Sequence, residues 1–269
     1  MLPKRVVLVR HGESEGNVLI ERSKKGDDSL YMGKAMEIHS SQWRLTEKGI
    51  SQATQAGVWL AAQRGGYFDR CYVSDYARAL ETAYQIGFYM PHPEWYIDIL
   101  LRERDWGYAG KIPRNQMEEK FKDWCEERRQ SSFYASPPSG ESLAQVYERL
   151  LHRVDTLHRE LSDEDVLFVT HGETIWAFMM IFERMPVPLF EELDRSKDPK
   201  DRIHNCQIIE YSRINPEDEE DIRPYFMWKR SICPWDMSLS TNEWTKIVRK
   251  TYSNDDLRDR VKQLPHILK

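Results

Sequence analysis

The sequence lacks the features that mark membrane proteins, nucleic-acid-binding proteins and disulfide-stapled domains. Only four of its 269 residues are cysteines, scattered with no Cys-x-x-Cys pair, so neither a zinc site nor a disulfide framework is indicated. The longest apolar run, residues 175–182, is far too short to span a bilayer. A net charge of -5 gives no basic excess for nucleic acid or an anionic membrane. We therefore expect a cytoplasmic protein with reduced thiols, no signal segment before its first strand, and neither nucleic acid nor membrane as a partner.

Low-complexity tracts and solenoid-type repeats are also missing, and what remains is an alternation of strand and helix patterns. Apolar runs predict strands at residues 5–10, 68–73, 96–101, 166–170, 206–211 and 225–229. Helical patterns occupy residues 13–22, 46–65, 76–89, 113–129, 141–161 and 173–183. Thr46 is expected to cap the second of these helices, and Ser74 with Asp75 the third. This alternation predicts a three-layer α/β/α fold with a largely parallel central sheet.

The chain is long enough for one large domain with additions. We assign residues 1–212 to a catalytic domain and residues 213–269 to a C-terminal extension that packs on the same domain. Residues 24–41 are polar without a clear period, so we expect an inserted loop near the site. The tail from Ser240 is expected to hold two short helices. Its apolar docking candidates are Trp244, Ile247, Val248, Leu257 and Val261.

Two of the predicted strands end in the same dipeptide, His-Gly. The first strand runs into Arg10–Gly12, and the strand at 166–170 runs into His171–Glu173. Open α/β sheets place their sites at the carboxyl ends of strands, so we expect the two ends to converge and the two histidines to form the active centre. An imidazole can act as a nucleophile, and a guanidinium beside it can hold a phosphate in a bidentate fork. Gly12 would let a ligand approach the backbone closely.

Several motifs in a fixed order make the chain resemble the histidine phosphatase superfamily, the group that includes cofactor-dependent phosphoglycerate mutases. The resemblance covers roughly residues 5 to 185. The matching segments are Leu8–Ser14 with Asn17, Leu45–Ala53, Val73–Ala83, Leu101–Gly107, Gly140–Ser142 and Thr170–Gly172.

The resemblance implies roles for individual residues. His11 would be the nucleophile that forms a phosphohistidine. The positions implied to bind phosphate are Arg10, Asn17, Arg78, His171 and Gly172. A phosphoryl group in transfer carries charge on its equatorial oxygens, so the two arginines and a cationic His171 would stabilise it, while His11 must be neutral to attack. We expect no metal and no cofactor, because these side chains would supply the positive charge.

An acid is also needed, to protonate the leaving alcohol and then to activate water, so the site should raise its pKa. The resemblance assigns this role to Glu103, and His171 would complete the catalytic set with His11. Asp105, two residues further on, is the alternative acid.

The function predicted from these residues is hydrolysis of phosphate monoesters on a small phosphorylated substrate. A phosphoglycerate mutase is the alternative, but mutases typically carry a Glu-Arg-His-Tyr-Gly loop, and Glu103–Gly107 lacks that histidine. The pair Arg128–Arg129 also precedes Pro137–Pro138 from further away than in mutases. A catalytically weak binding or regulatory protein is a further alternative, against which the complete residue set argues. A metallohydrolase is disfavoured because no His-x-x-x-His spacing occurs. The residues indicate neither a particular phosphate ester nor an oligomeric state.

Overall fold

A seven-stranded mixed sheet forms the centre of the computed structural model, which describes residues 1–268. The strands in that range are β1 (Arg5–Arg10), β2 (Arg70–Val73), β3 (Trp95–Ile97), β4 (Asp165–Thr170), β5 (Ile208–Ser212), β6 (Ile214–Asn215), β7 (Asp218–Ile222), β8 (Trp228–Ile232) and β9 (Thr245–Lys246). The sheet order is β3-β2-β4-β1-β5-β8-β9, and β6 pairs only with β7. The strands β3, β2, β4 and β1 are mutually parallel, and β5, β8 and β9 each pair antiparallel with their neighbours.

Helices cover both faces of this sheet. Those within residues 1–268 are α1 (Glu15–Lys24), α2 (Glu47–Arg64), α3 (Ala77–Gly87), α4 (Met117–Lys120), α5 (Lys122–Gln130), α6 (Leu143–Glu160), α7 (Gly172–Glu183), α8 (Val187–Arg195) and α9 (Asn254–Lys262). Short 3₁₀ turns occupy Ser29–Met32, Lys34–Met36, Ser40–Gln42, Ile99–Leu101, Gly107–Lys111, Arg114–Gln116, Pro199–Asp201 and Met237–Leu239. The described helices include none that is both long and apolar enough to cross a membrane.

Two apolar cores, one on each face of the sheet, explain why β1 is apolar at successive positions. Leu8 packs on the face covered by α6 and α7, in a core that includes Leu150 and Phe178. Val7 and Val9 point to the opposite face, into a core that α2 and α3 complete. A fully buried side chain of this size stabilises the fold by about 1.5–3 kcal/mol. The predicted three-layer α/β/α architecture is confirmed.

The register between β1 and β4 determines where the two His-Gly dipeptides lie. The strands pair in parallel over six positions, with Arg10 opposite Thr170 at the carboxyl end. The next residue on each strand is a histidine, so His11 and His171 leave the same edge of the sheet side by side.

Some predicted elements differ from the observed ones. The expected helix over 113–129 is divided at Phe121, whose φ of -136° and ψ of 49° are not helical. Thr46 caps α2 as predicted, since its side chain accepts a hydrogen bond from the N–H of Gly49. The expected capping of α3 by Ser74 and Asp75 is wrong. That helix begins at Ala77 without a side-chain cap, and the hydroxyl of Ser74 has another partner in the site.

The C-terminal part contributes directly to the main sheet. All five residues of β8 pair with β5, and β9 adds two more residues at the edge. The tail holds this short strand and α9 rather than two helices. Of the docking candidates, Ile247 is buried, but Val248 is 88% exposed and Leu257 and Val261 are also exposed. The division of the chain at residue 212 stays a prediction.

Replacement of Gly49 by alanine is expected to destabilise the fold, because a Cβ at this position would lie 2.0 Å from the carbonyl oxygen of Glu13. Backbone would have to move, so the free energy of unfolding should fall by about 2–3 kcal/mol despite the higher helix propensity of alanine. Gly33→Ala is the matched control, since nothing lies within 4 Å of a Cβ there. Urea unfolding measures both variants, and equal midpoints would contradict the close approach of α2 to the loop after β1.

Candidate active site

His11 and His171 face each other at the carboxyl edge of the sheet. Their ring centroids are 5.1 Å apart with an interplanar angle of 61°. Both side chains are buried, with 2% of His11 and none of His171 exposed. The two strand ends therefore converge as predicted.

The hydrogen bonds of His11 fix its tautomer. Its Nδ1 lies 2.7 Å from the carbonyl oxygen of Gly12, which can only accept, so Nδ1 carries the proton. Arg78 Nε donates to His11 Nε2 at 3.2 Å, so Nε2 presents its lone pair. Burial, followed by the charges of Arg78 and Arg10, lowers the pKa of His11 well below its usual value. The ring is therefore neutral, in the state that nucleophilic attack requires.

The two arginines of the site each have part of the guanidinium bound to a backbone carbonyl. Arg78 Nη1 donates to the carbonyl of Ser40 at 2.8 Å, and Arg10 Nη1 to that of Ile203 at 2.5 Å. Within the described part of the chain, Arg10 Nε is buried with no hydrogen-bond partner. Each guanidinium thus keeps further N–H groups that could bind an anion.

The surroundings of His171 disfavour the cationic form that the sequence led us to expect. Its Nε2 lies 2.8 Å from the hydroxyl of Ser74. Burial is the main cause that lowers its pKa well below the usual value, and Arg78, His11 and Arg10 lower it further. Positive side chains that converge in a buried site repel one another, and this repulsion disfavours a charge on every one of them. Among residues 1–268, His171 Nδ1 is also a buried ring nitrogen without a partner.

Glu103 lies on the loop after Leu101, and two threonines next to His171 fasten this loop. Thr170 Oγ1 donates to the carbonyl of Leu101 at 2.7 Å, and Thr174 Oγ1 to that of Arg102 at 2.7 Å. The guanidinium of Arg149 also donates to the Arg102 carbonyl, at 2.7 Å. The position of the acid is therefore tied to β4 and to the start of α7.

Electrostatics distinguish Glu103 from Asp105. Burial lowers the pKa of both Arg10 and Arg78, and of the neighbouring charges Glu103 does most to raise it. Glu103 is half-buried, whereas Asp105 is exposed and accepts a hydrogen bond from the N–H of Gly107 at 2.8 Å. This geometry favours Glu103 as the acid of the site.

The remaining predicted ligands, Asn17 and Gly172, lie at the starts of two helices. Asn17 completes a capping box with Ser14 at the start of α1, through its Oδ1. Gly172 is the first residue of α7, where backbone N–H groups have no partner within the helix and can bind anions. A Cβ on Gly172 would lie 3.5 Å from Arg10 Nε, so this N–H end is close to the guanidinium of Arg10.

Several motif residues hold the backbone around His11 instead of facing a ligand. The Gly12 N–H donates to Thr82 Oγ1 at 3.0 Å, and the Glu13 N–H donates to Gln52 Oε1 at 2.9 Å. Gly12 is also required by a contact within the protein, in addition to the predicted approach of a ligand. A Cβ there would lie 2.4 Å from the carbonyl oxygen of Gly49, so it is the approach of α2 that requires glycine.

Asn205 is the residue of the site that sequence reasoning missed. Its Nδ2 donates to the carbonyl of His11 at 3.0 Å and to Oδ1 of Asn17 at 3.1 Å. It lies outside the matched motifs, 194 residues from His11, and only its position before a predicted strand marked it. As for metals, no group of three or more His, Cys, Asp or Glu side chains within residues 1–268 is arranged to hold an ion.

Comparison with known proteins agrees with this geometry. The family model of the histidine phosphatase superfamily, branch 1, matches residues 6–199. A 2,3-bisphosphoglycerate-dependent phosphoglycerate mutase from Methylorubrum populi is 32% identical over 200 residues, which cover 72% of this chain and 85% of the mutase. The phosphoglycerate mutase-like protein AT74 of Arabidopsis thaliana is 28% identical and covers 91% of this chain and 79% of its own length.

Among solved structures, mycobacterial glucosyl-3-phosphoglycerate phosphatase superposes with a TM-score of 0.58 at 23% identity, over 82% of this chain and 95% of that protein. At this identity the likeness shows a shared fold. The family match spans well over half of the chain, and the Methylorubrum mutase is 32% identical over 200 residues. The chain therefore belongs to the histidine phosphatase superfamily, branch 1.

Proposed function

We propose that this protein hydrolyses phosphate monoesters through a phosphohistidine formed on His11. The proposal rests on the protonation and the orientation of the His11 imidazole. A neutral, buried imidazole holds its proton on Nδ1 and directs the Nε2 lone pair towards the guanidinium of Arg78. A phosphoryl group bound by Arg78 would then lie within reach of Nε2.

The proposed reaction has two steps. In the first, Arg10, Arg78 and the N-terminus of α7 bind the phosphoryl oxygens, and His11 Nε2 attacks phosphorus as the ester P–O bond breaks. Protonated Glu103 gives its proton to the leaving alkoxide. In the second step, the Glu103 carboxylate takes a proton from water as that water attacks phosphorus, so the P–N bond breaks and inorganic phosphate leaves.

The contacts made by the basic residues around the loop that carries Glu103 favour hydrolysis over isomerisation. A mutase must also hold the second acidic group of its substrate. Arg128 lies over the ring of Trp106 at 5.2 Å, and Arg129 pairs with Glu118 at 3.0 Å. Arg104 is buried and donates to the backbone. Arg104 is therefore committed to contacts within the protein, whereas Arg128 and Arg129 make weaker contacts nearer the surface.

Mutase activity is the second candidate, because the Methylorubrum relative at 32% identity is named a phosphoglycerate mutase. The two reactions share the first step and differ in whether water or a second hydroxyl accepts the phosphoryl group. The binding or regulatory alternative has no observation in its favour.

The four free thiols support a reducing, cytoplasmic setting for the proposed enzyme. The positive charge of the side chains supplies what a metal ion would provide.

An assay that compares phosphate release with isomerisation tests the proposal. The protein should release inorganic phosphate from an aryl phosphate, and it should convert little 3-phosphoglycerate to 2-phosphoglycerate even with 2,3-bisphosphoglycerate present. His11→Ala should lower kcat by more than about 10³-fold and abolish the acid-labile phosphoenzyme. His152→Ala, on an exposed position of α6, is the control. Efficient isomerisation with negligible release would make the protein a mutase instead.

The identity of the acid is tested by a pair of isosteric changes. Glu103→Gln should lower kcat for an alkyl phosphate by about 10²–10⁴-fold, since a poor leaving group needs a proton. The loss should be smaller for an aryl phosphate whose leaving group needs none. Asp105→Asn should leave both rates near those of the wild type, and the opposite order of the two variants would identify Asp105 as the acid.

Protonation of His171 is expected to depend on occupancy of the site. Because burial and the arginines lower its pKa, the free protein should keep this ring neutral as the pH falls below the usual value of about 6.5. Inorganic phosphate would offset the arginine charge and accept a hydrogen bond from protonated Nδ1, and both effects raise the pKa of His171. Nitrogen-15 NMR of the imidazole at pH 6, with and without phosphate, measures the change. A spectrum that phosphate leaves unchanged would remove His171 from the phosphate-binding set.

A further inference from the structure

Asn205 connects three parts of the chain at the candidate site. Its Nδ2 donates to the carbonyl of His11 at 3.0 Å and to Oδ1 of Asn17 at 3.1 Å. The backbone carbonyl of Asn205 accepts a hydrogen bond from Trp235 Nε1 at 2.6 Å. One residue therefore joins the nucleophile strand, the start of α1 and the segment that follows β8.

Backbone groups fix the orientation of both amides in this arrangement. The N–H of Ser14 can only donate, so the atom of Asn17 that it contacts at 3.1 Å must be the oxygen. The carbonyl of His11 can only accept, so the atom of Asn205 that contacts it must be the nitrogen. The contact between the two side chains then satisfies both assignments at once. Asn17 consequently uses its oxygen inside the protein, and its NH₂ group is the part left to donate to a ligand.

Hydrogen bonds also fix the backbone next to Asn205. Cys206 follows with a φ of 50°, in the left-handed region, and is fully buried. Its N–H donates to the carbonyl of Arg10 at 3.0 Å, so the turn is pinned to the end of β1. The ammonium of Lys48, which pairs with Glu13, lies 5.9 Å from the ring centroid of Trp235.

We propose that Asn205, supported by Trp235, is a positioning residue that orients the amide of Asn17 to donate to the transferring phosphoryl group and ties it to the carbonyl of His11. This inference rests on the proposed function. It assigns to residues 205 and 235, which lie outside the matched motifs, the task of keeping a phosphate donor aligned with the nucleophile. The donor then needs no reorganisation when charge develops on the phosphoryl oxygens.

A double-mutant cycle between Asn17 and Asn205 tests the proposal. Asn17→Ala removes a donor to a charged group and should lower kcat by about 10- to 100-fold. Asn205→Ala leaves that donor in place but held by Ser14 alone, and should lower kcat by roughly 5- to 30-fold with KM little changed. If Asn205 acts through Asn17, the double variant should be no slower than Asn17→Ala by more than about twofold.

Binding of transition-state and ground-state mimics provides a second readout. Orthovanadate resembles the five-coordinate phosphorus of the transfer, so Asn205→Ala should weaken its inhibition about 10-fold and that of inorganic phosphate much less. Asn215→Ala is the matched control, since Asn215 Nδ2 bonds Asp221 at 3.1 Å in the separate β6–β7 hairpin. That variant should match the wild type in both assays.

Trp235→Phe keeps the experiment informative if Asn205→Ala fails to fold. It removes the N–H donor while retaining most of the ring, and should lower kcat about two- to fivefold in wild type and not at all in Asn17→Ala. Trp228→Phe, on a half-buried position of β8, is its control.

The outcomes separate this inference from the proposed function. Independent, multiplying losses in the cycle would overturn the positioning role of Asn205, while hydrolysis by the wild type would stand. Equal loss of vanadate and phosphate binding would overturn it as well. A wild-type protein that neither releases phosphate nor forms a phosphohistidine would overturn the proposed function, and the inference would fall with it.

Discussion

The parallel pairing of β1 with β4 is the constraint on which the candidate site depends. Adjacent strands lie about 4.8 Å apart, and this spacing sets the distance between side chains that leave neighbouring strand ends. The pairing continues beyond the strand, because the N–H of His11 donates to the carbonyl of Thr170 at 2.9 Å. A slip of one residue would exchange the two faces of β1. Since Val7 and Leu8 are buried in different cores, the hydrophobic effect that holds the sheet also holds the histidines in register.

The site keeps several strong donors in a buried space with only part of their hydrogen-bonding capacity used. Two guanidiniums bind one carbonyl each, and burial, followed by the arginine charges, lowers the pKa of both imidazoles. Arg10 Nε and His171 Nδ1 are buried donors or acceptors without partners in the described part of the chain. An entering dianion would satisfy these groups and compensate the arginine charge, which makes the cluster better suited to a bound phosphate than to an empty site.

Sequence alone predicted the parts of the site that follow apolar strands. His11 and His171 were identifiable because each ends a run that is buried on both faces, and Arg78 followed from motif order. The lowered pKa of His171 was not predictable, since it depends on burial and on charges from separate segments of the chain. Apolar spacing in α9 was also misleading, because a helical period says which face is apolar and not whether the face is covered. Leu257 is exposed in a helix that its own capping box supports.

The antiparallel direction of β5 explains how a residue far along the chain reaches this edge. In the parallel strands the chain enters the site as a strand ends, but β5 runs opposite to β1, so its amino end lies at the same edge. Asn205 therefore reaches the site before its strand and not after it. The chain then travels away from the site along β5, turns through the β6–β7 hairpin, and returns along β8, which is antiparallel to β5. The carboxyl end of β8 therefore places Trp235 at the same edge of the sheet as Asn205. A search for functional residues that looks only after strands would pass over β5, whose amino end and not its carboxyl end lies at the edge of the site.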